Sequence, residues 1–391
     1  MSTVVQTHSP VRIDEGDPSA PIVSVVIPCL NEAENIETCV AKALEAIVKM
    51  GVHGEVVVAD NDSEDDSAQL AERAGARVVI ERRRGYGSAY LAGFAASRGR
   101  YIVMADADLT YDFDEIPRFV AALEEGAEMV IGDRMDNIQP GAMPWLHRYI
   151  GNPILTGLLN LFFRTGVSDA HCGMRALRRD VLPRLDLRTT GMEFASEMVI
   201  RASKEQLRIA EFPIEYHPRG GESKLSSFRD GWRHLRFLLV HSPNYLFILP
   251  GALLAGIGTL IVALVGAGLD VGRDWGIHTL IGGALMMIVG TQVLGLGLCA
   301  HAYGTYFMNE RDPWFDRMRS RFRLEHGLLL GSVFMLAGVV LGAIIIATWI
   351  AHGLGSLADE RLAIVAASVL IVGVQIFFSS FLLSILGLRR R

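Results

Sequence analysis

The sequence contains few cysteines, and their spacing suits neither a disulfide framework nor a metal site. Only four occur in 391 residues, at Cys29, Cys39, Cys172 and Cys299. Zinc sites need cysteines or histidines at short, repeated spacings, and disulfide-stapled folds need a denser set. This scarcity argues against both classes and suits a protein whose soluble part lies in a reducing compartment.

The start of the chain lacks the continuous apolar segment of a secretory signal peptide. Its first residues are MSTVVQTHSPVRIDEGDPSA, a largely polar stretch. We therefore predict that residues 1–21 form a disordered N-terminal tail rather than a targeting segment.

Charge is missing from four long apolar stretches in the second half of the chain. Residues 245–269, 277–302, 328–351 and 362–388 contain no Asp, Glu, Lys or Arg. Each stretch exceeds the ~20 residues that a helix needs to cross a bilayer. We predict four membrane-spanning helices in a domain of residues 244–391. The lack of charged side chains argues against an ion-coupled transporter or a proton relay, and we interpret the spans as an anchor that could also assemble a homo-oligomer.

The connections between these stretches differ in positive charge. The connection between the second and third stretches and the chain end are rich in arginine: Arg311, Arg317, Arg319, Arg321, Arg323, Arg389, Arg390 and Arg391. The other two connections hold one arginine each, Arg273 and Arg361. By the positive-inside rule, we expect a multi-pass protein of the cell's inner membrane whose N-terminal domain, middle connection and C-terminus are cytoplasmic.

The N-terminal half alternates short apolar segments with amphipathic ones. We predict five strands, at residues 23–28, 55–60, 77–80, 101–106 and 128–132. We predict helices over residues 32–50, from a cap at Ser63 to Ala74, and over 88–97. Continuous apolar strands that alternate with helices indicate an α/β fold, with a mostly parallel sheet covered on both faces.

Polar residues follow three of these strands. The first strand runs into PCLNE (28–32), the second into DNDS (60–63) and the fourth into DAD (106–108). In parallel sheets the carboxyl ends of the strands meet at one edge, and ligands bind there. We therefore expect these three segments to form one site.

The DAD segment has the spacing of a cation site. Residues i and i+2 of an extended chain face the same way, so Asp106 and Asp108 can converge on one point. A small set of carboxylate oxygens suits Mg²⁺ or Mn²⁺ bridged to substrate phosphates. Acidic helix caps are the alternative, and they explain Asp62 and Asp114. They do not explain the DAD segment, because LTYD separates it from the next helix.

The N-terminal half resembles a known enzyme family. The resemblance is carried by six segments: VVIPCLNEAENI, EVVVADNDSEDDSA, RGYGSAYLAGFAASRGRYIVMADADLTYDFDEIP, VIGDRM, SDAHCGMRAL and GGESKLSSFRDGWRHL. With these, residues 22 to about 240 resemble family 2 glycosyltransferases of the GT-A fold, and more narrowly the polyprenol-phosphate (dolichol-phosphate) hexose synthases. The resemblance implies a Rossmann-like nucleotide-diphospho-sugar transferase domain, here residues 22–225. The Gln-x-x-Arg-Trp motif of processive members is absent, which favours transfer of a single sugar.

The resemblance also implies roles in binding the donor nucleoside. Pro28, Leu30 and Glu32 would line the nucleoside pocket, with Glu32 at the ribose. Asp60 would contact the base. Gly85 belongs to a loop whose glycines would let the backbone approach the donor closely.

A second implied group would bind the donor diphosphate. Asp106, Ala107 and Asp108 would lie there, with the two carboxylates as ligands of Mg²⁺ or Mn²⁺. Thr110 stands where relatives often have Gln or Ser near the metal, so it is the third candidate ligand.

Four basic residues are candidate phosphate contacts. Arg134 matches an arginine that binds donor or acceptor phosphate in the family, and both roles stay open. Arg219 and Lys224 resemble a loop that closes on the donor diphosphate. Arg148 is an acceptor-phosphate candidate, with an interfacial arginine as the alternative. Arg134 and Lys224 complete the predicted catalytic set with the two aspartates.

Two further segments are suited to the bilayer surface. Residues 226–243 place Phe228, Trp232, Leu235 and Leu239 at helical spacing among arginines. This pattern predicts an amphipathic juxtamembrane helix. The apolar segment 152–163 is too short to span, so it lies against the membrane or in the core.

The sequence therefore predicts a membrane-bound, inverting glycosyltransferase. It would transfer one hexose from UDP-glucose or GDP-mannose to polyprenyl phosphate, for assembly of a cell-envelope glycan or glycoconjugate. Two alternatives stay open: another lipid acceptor, such as diacylglycerol or a ceramide-like lipid, and a non-catalytic membrane assembly partner. We expect no nucleic-acid partner.

Overall fold

A computed structural model describes residues 20–220, 227–269, 276–307, 312–321, 324–353 and 360–387. The chain divides into two compact units, Met1–Leu238 and Leu239–Arg391. The first unit contains the α/β domain and the second contains the long apolar helices.

The first unit is built on one seven-stranded sheet. Its strands are β1 (Val23–Cys29), β2 (Gly54–Asp60), β3 (Arg77–Ile80), β4 (Tyr101–Met104), β5 (Met129–Asp133), β6 (Arg175–Arg178) and β7 (Ile209–Pro213). Their order is β3-β2-β1-β4-β6-β5-β7. Only β6 runs antiparallel to its neighbours β4 and β5. The predicted parallel sheet is confirmed, and β6 and β7 were not foreseen.

Helices cover both faces of the sheet. The helices of this part of the chain are α1 (Ile36–Lys49), α2 (Ser67–Arg73), α3 (Tyr86–Ala96), α4 (Ile116–Glu124), α5 (Asn152–Phe163), α6 (Leu182–Leu185), α7 (Phe194–Lys204) and α8 (Ser227–Val240). One group consists of α1 with α2 and α4, and another of α3 with α7 and α5. Strands β1 and β4 are buried almost throughout because both faces are covered, which explains their continuous apolar sequences.

Three predicted boundaries were wrong. Strand β4 ends at Met104, so the DAD segment lies wholly in the loop beyond it. Helix α1 begins at Ile36 because Asn31 has φ +51° and turns the chain before the helix. Ser63 does not cap α2, whose first flanking residue is Asp66. The Ser63 hydroxyl instead accepts a hydrogen bond from Asn31 N at 3.0 Å, which joins two loops of the site edge.

The segment 152–163 forms α5, and it is two-sided. Thr156 and Leu159 are buried against the domain, whereas Ile154 and Leu161 are more than half exposed. The predicted packing in the core is confirmed for one side of this helix, and contact of its exposed apolar side with the membrane stays a prediction.

The second unit holds four helices that are long and apolar enough to cross a membrane. They are Asn244–Gly266, which includes α9 (Leu249–Gly266), then α10 (Ile277–Phe307), α12 (Leu324–Ala351) and α13 (Glu360–Gly387). A short helix, α11 (Pro313–Arg321), lies between α10 and α12. The four predicted spans correspond to these helices, with ends shifted by a few residues.

Glycines let the long helices approach closely in pairs. A Cβ added at Gly258 of α9 would collide with the backbone of Gly283 and Met287 of α10. A Cβ at Gly373 of α13 would collide with the backbone of Gly331 and Met335 of α12. Close backbone contact of this kind is how helices associate where burial of apolar surface gives little driving force.

Candidate active site

The three polar segments lie at one edge of the sheet. Strand β1 pairs in parallel with β2, with Cys29 opposite Asp60, and with β4, with Val26 opposite Met104. The loops that follow these three neighbouring strands therefore emerge side by side. The structure places the PCLNE, DNDS and DAD segments together, as the sequence predicted.

Asp106 is held by two tyrosines from α3. Its Oδ1 accepts hydrogen bonds from the hydroxyls of Tyr86 at 3.1 Å and Tyr90 at 3.2 Å. Burial, and next the charge of Asp108, raise the pKa of Asp106 to about 6, although the tyrosine bonds oppose the shift. The repulsion between two neighbouring carboxylates makes this pair a binding place for positive charge.

Asp108 is buried and held through both of its oxygens. Oδ1 accepts from Thr110 N at 3.1 Å and from Thr110 Oγ1 at 2.6 Å. Oδ2 lies 3.4 Å from Arg219 Nη1. The Thr110 hydroxyl thus orients Asp108 here, and its predicted role as a metal ligand stays a prediction.

Arg219 lies between the first and third loops of the edge. Its Nη2 is 3.1 Å from Glu32 Oε1, while Nη1 faces Asp108. Gly220 N donates to the carbonyl of Asp108 at 2.9 Å, and Asn35 Nδ2 donates to the carbonyl of Gly220 at 2.9 Å. The backbone around Arg219 is therefore anchored, and its guanidinium supplies the positive charge beside Asp108.

The donor set fits a divalent ion that completes its shell elsewhere. Within the described ranges there is no group of three or more His, Cys, Asp or Glu side chains that could hold a metal. The two carboxylates match Mg²⁺ or Mn²⁺, because these ions commonly bind one or two protein carboxylates and complete their coordination with substrate phosphates and water. Asp106 and Asp108 are the residues that would hold the ion.

Asp60 presents an unsatisfied acceptor at the same edge. The residue is only 3% exposed, and Oδ2 accepts from Ser63 N at 3.3 Å. Oδ1 is buried and has no hydrogen-bond partner among the residues that the structure describes. Because a buried acceptor without a donor is unfavourable, Asp60 suits a ligand that brings an N–H or O–H group.

Asn61 is a site residue that the sequence did not single out. Its Oδ1 accepts from Gly85 N at 2.6 Å, and its Nδ2 donates to the carbonyls of Glu81 at 2.8 Å and Arg83 at 2.9 Å. One side chain therefore fixes the loop between β3 and α3. The only sequence signal was its place after a strand, which also fits an ordinary turn.

Gly85 is required by packing against the protein's own backbone. Its φ is +145°, and a Cβ there would collide with the carbonyl of Thr190. This contact with the segment before α7 requires glycine by itself, and the predicted close approach of the loop to the donor stays a prediction. That segment is held by Glu197, whose carboxylate accepts from Thr189 N at 2.9 Å and Thr189 Oγ1 at 2.6 Å.

Arg134 is buried in an ion pair. Its Nε and Nη2 lie 2.6 and 2.9 Å from the two oxygens of Asp169, and its guanidinium lies 5.1 Å from the Tyr216 ring. Burial alone would raise the pKa of Asp169, but the charge of Arg134 and the hydrogen bonds that Arg134 donates together lower it. Much of the arginine's charge is therefore compensated before any phosphate arrives.

The remaining candidates lie in different settings. Pro28 lies near the end of β1, Leu30 lies in the loop after it, and Ala107 is buried between the two aspartates. Arg148 is half-buried on the helical turn His147–Gly151, with its guanidinium 5.3 Å from the Tyr149 ring. Lys224 lies outside the described residues.

The comparisons with known proteins match both units. Residues 24–185 match Glycosyl transferase family 2. Residues 298–387 match the Glycosyltransferase family 2 C-terminal transmembrane region. The low-salt glycan biosynthesis hexosyltransferase Agl6 of Haloferax volcanii is 44% identical over 94% of this chain and 90% of its own length. The chain belongs to family 2 of the glycosyltransferases.

Two further similarities cover a little more than half of this chain. The dolichyl-phosphate hexose transferase of Haloferax volcanii is 34% identical over 54% of this chain and 89% of its own length. Glucosyl-3-phosphoglycerate synthase from Mycobacterium tuberculosis, solved with Mg²⁺ and uridine-diphosphate, is 22% identical, with a TM-score of 0.45 over 56% of this chain and 79% of that one. The family 2 glycosyltransferase combines an α/β domain with a C-terminal region of apolar helices.

Proposed function

We propose that this membrane-bound family 2 enzyme transfers one hexose from a nucleotide-diphosphate sugar to polyprenyl phosphate, with inversion at the anomeric carbon. The observation that carries the proposal is the pair Asp106 and Asp108, buried at the strand edge with Arg219 beside it. The name of the dolichyl-phosphate hexose transferase supports the acceptor class.

The proposed donor lies along the edge of the three loops. Pro28, Leu30 and Glu32 line the nucleoside pocket, and Asp60 accepts a hydrogen bond from the base. Uracil and guanine offer a ring N–H for a carboxylate acceptor, whereas adenine and cytosine present a lone pair there. The open oxygen of Asp60 therefore favours a uridine or guanosine donor, such as UDP-glucose or GDP-mannose.

The diphosphate lies beside Asp106, Ala107 and Asp108 in this proposal. A bound Mg²⁺ or Mn²⁺ would neutralise charge that develops on the departing nucleoside diphosphate. Arg219 and Lys224 stabilise the same oxygens, Arg219 by leaving Asp108 for the diphosphate. Thr110 keeps Asp108 oriented, and Tyr86 and Tyr90 do the same for Asp106.

The acceptor needs little activation. A lipid monophosphate is largely dianionic near neutral pH, since its second pKa is about 6. No general base is required, and the protein's task is to orient the phosphate for in-line attack. Arg148 is the proposed acceptor contact, and Arg134 supports the site through its pair with Asp169.

The proposed setting is the inner face of the cell membrane. The four apolar helices anchor the chain, and residues 226–243 lie along the bilayer surface near the lipid phosphate. The transferase domain, the α10–α12 connection and the C-terminus are cytoplasmic in this arrangement.

Transfer by the purified full-length chain tests the proposal. UDP-glucose, GDP-mannose and other labelled nucleotide sugars are offered with Mn²⁺ or Mg²⁺ and with undecaprenyl phosphate, decaprenyl phosphate or diacylglycerol. Asp108→Ala is compared with Asp114→Ala, which removes an exposed carboxylate of the same segment. We expect label in the polyprenyl phosphate with one donor, lost in Asp108→Ala and with chelator, and retained in Asp114→Ala.

Other results would reassign the acceptor or the activity. Label in diacylglycerol alone would overturn the acceptor and keep the donor chemistry. Metal-dependent nucleotide binding without label in any lipid would instead support a non-catalytic assembly partner.

A further inference from the structure

The second unit contains a buried polar contact that no step of the proposed transfer uses. His301, in the last part of α10, is only 4% exposed. Its Nε2 lies 3.0 Å from Asn244 Oδ1, and its Nδ1 is hydrogen-bonded to the Asp312 carboxylate. Asp312 also accepts from Phe315 N at 3.0 Å through its other oxygen. One histidine thus ties the start of α11 to α10 and to the residue that opens the first span.

Aromatic packing strengthens this attachment. Phe315 is 3% exposed, and its ring is parallel to that of His301 with the centroids 6.1 Å apart. The Trp314 ring lies 4.9 Å from His301, and Tyr306 contacts Phe315 edge to face. Because α11 is held by these contacts, its exposed side chains have a defined orientation.

The exposed surface of α11 is basic, with Arg317 and Arg321 on one face and Arg319 on the side of Tyr306. Arg317, Arg319 and Arg321 are all exposed on α11. Asp316 and Glu325 are the exposed acids described in this region, so positive charge prevails over negative. The Arg319 guanidinium lies 5.1 Å from the Tyr306 ring, which fixes one arginine against the end of α10.

The position of α11 along the chain places it at a bilayer face. It connects α10, which ends at Phe307, with α12, which begins at Leu324. Tyr303 and Trp314 are exposed at this corner, by 53% and 40%. Exposed aromatic rings beside arginines at the end of a span are characteristic of the headgroup layer of a membrane.

We propose that α11 is a binding surface for the headgroups of anionic phospholipids. The three arginines offer planar, permanently charged donors to lipid phosphate, and Trp314 and Tyr303 lie at the depth of the glycerol backbone. Juxtamembrane basic residues gain about fivefold in affinity for an anionic surface for each charge. The occupant is bulk anionic phospholipid rather than the polyprenyl phosphate acceptor, because the charge is spread over three exposed side chains of one short helix.

The test measures lipid selectivity of the full-length chain in vesicles. Spin-labelled phosphatidylglycerol and spin-labelled phosphatidylcholine are compared in phosphatidylcholine vesicles, and the motionally restricted fraction gives their relative affinity for the protein. The triple variant Arg317→Gln, Arg319→Gln, Arg321→Gln is compared with Arg361→Gln. Arg361 is an exposed arginine at the start of α13, on the opposite side of the predicted membrane.

We expect the wild type to select phosphatidylglycerol several-fold at low salt, the triple variant to lose that selectivity, and Arg361→Gln to keep it. His301→Gln should weaken it with all arginines present, since the helix loses its anchor. Unchanged selectivity in the triple variant would overturn the proposal. Displacement of the labelled lipid by decaprenyl phosphate but not by excess phosphatidylglycerol would also overturn it, because α11 would then belong to the acceptor site.

Discussion

The two units treat buried polar groups in opposite ways. The α/β unit buries charged side chains and satisfies them with one another or with loop backbone, as in Arg134 with Asp169 and Glu197 with Thr189. In the described part of the helical unit, the buried surfaces consist of apolar and small residues, and the close contacts are backbone to backbone at glycines such as Gly258. His301 is the conspicuous exception.

This difference follows from what each unit has to hold. A catalytic edge made of loops has no periodic hydrogen bonding, so buried charges must fix each loop from within. A helix forms the hydrogen bonds of its backbone within itself, so helices in a bundle can pack through complementary shapes alone. The comparison predicts that removing a buried charge lowers the activity or stability of the first unit. Replacing a small residue by a larger one at a helix contact lowers the stability of the second.

The largest effect is expected at the carboxylate pair. Asp108→Asn keeps the shape but removes the charge that would hold the divalent ion. Several kcal/mol of lost transition-state stabilisation corresponds to about a thousandfold or more in rate. Single-turnover transfer and circular dichroism should report a folded, nearly inactive protein. Activity within tenfold of wild type would show that the ion is held by other residues.

Breaking the buried ion pair should strongly lower the free energy of unfolding of the first unit. Asp169→Ala leaves Arg134 buried and uncompensated, a loss of about 3–5 kcal/mol. The control is Asp180→Ala, whose partner Arg178 is partly exposed and whose loss should cost less than about 1 kcal/mol. Denaturant unfolding of the full-length chain in detergent measures both. Equal losses would contradict the distinction between buried and surface pairs.

Adding volume at a helix contact should destabilise the second unit. Gly258→Leu pushes α9 away from α10, at about 1–3 kcal/mol. A Cβ added at Gly256, two residues away, has no atom within 4 Å, so Gly256→Leu should leave the stability unchanged. Thermal unfolding in detergent compares the two variants. Unchanged stability in Gly258→Leu would mean that close contact between α9 and α10 does not stabilise the second unit.

The smallest effect concerns pH. Burial raises the pKa of Asp106 to about 6, and a proton and a metal ion compete for the same carboxylate. Affinity for Mn²⁺, measured by calorimetry with a nucleoside diphosphate present, should be steady above pH 7 and fall by up to about tenfold for each pH unit below 6. Asp106→Asn should bind more weakly at every pH and show a flatter profile. A wild-type profile that stays flat down to pH 5 would contradict the shift.

The positions of the first five strands and the place of the site were predictable because both follow local patterns. Apolar strands ending in PCLNE, DNDS and DAD are visible in single segments, and parallel pairing then brings them together. The spans were predictable for the same reason, since lack of charge over about 20 residues needs no tertiary information.

The partners of the site residues were not predictable. Tyr86 and Tyr90 belong to an apolar helix and resemble core residues, yet their hydroxyls hold Asp106. Asp169 is 35 positions from Arg134, a separation at which no periodicity links two residues. Gly85 was correctly marked as special, but which backbone approaches it depends on the loop before α7.

Arg219 has a consequence for the order in which ligands arrive. While its guanidinium contacts Glu32 and Asp108, a free metal ion must compete with a tethered cation for the same oxygens. In the proposed mechanism a nucleoside diphosphate would offer the arginine another partner and so release the carboxylate. Metal and donor would then bind with positive cooperativity, each raising the affinity for the other by the same factor. The enzyme without donor would thereby bind divalent ions weakly, and it would bind them tightly only when a sugar nucleotide is present.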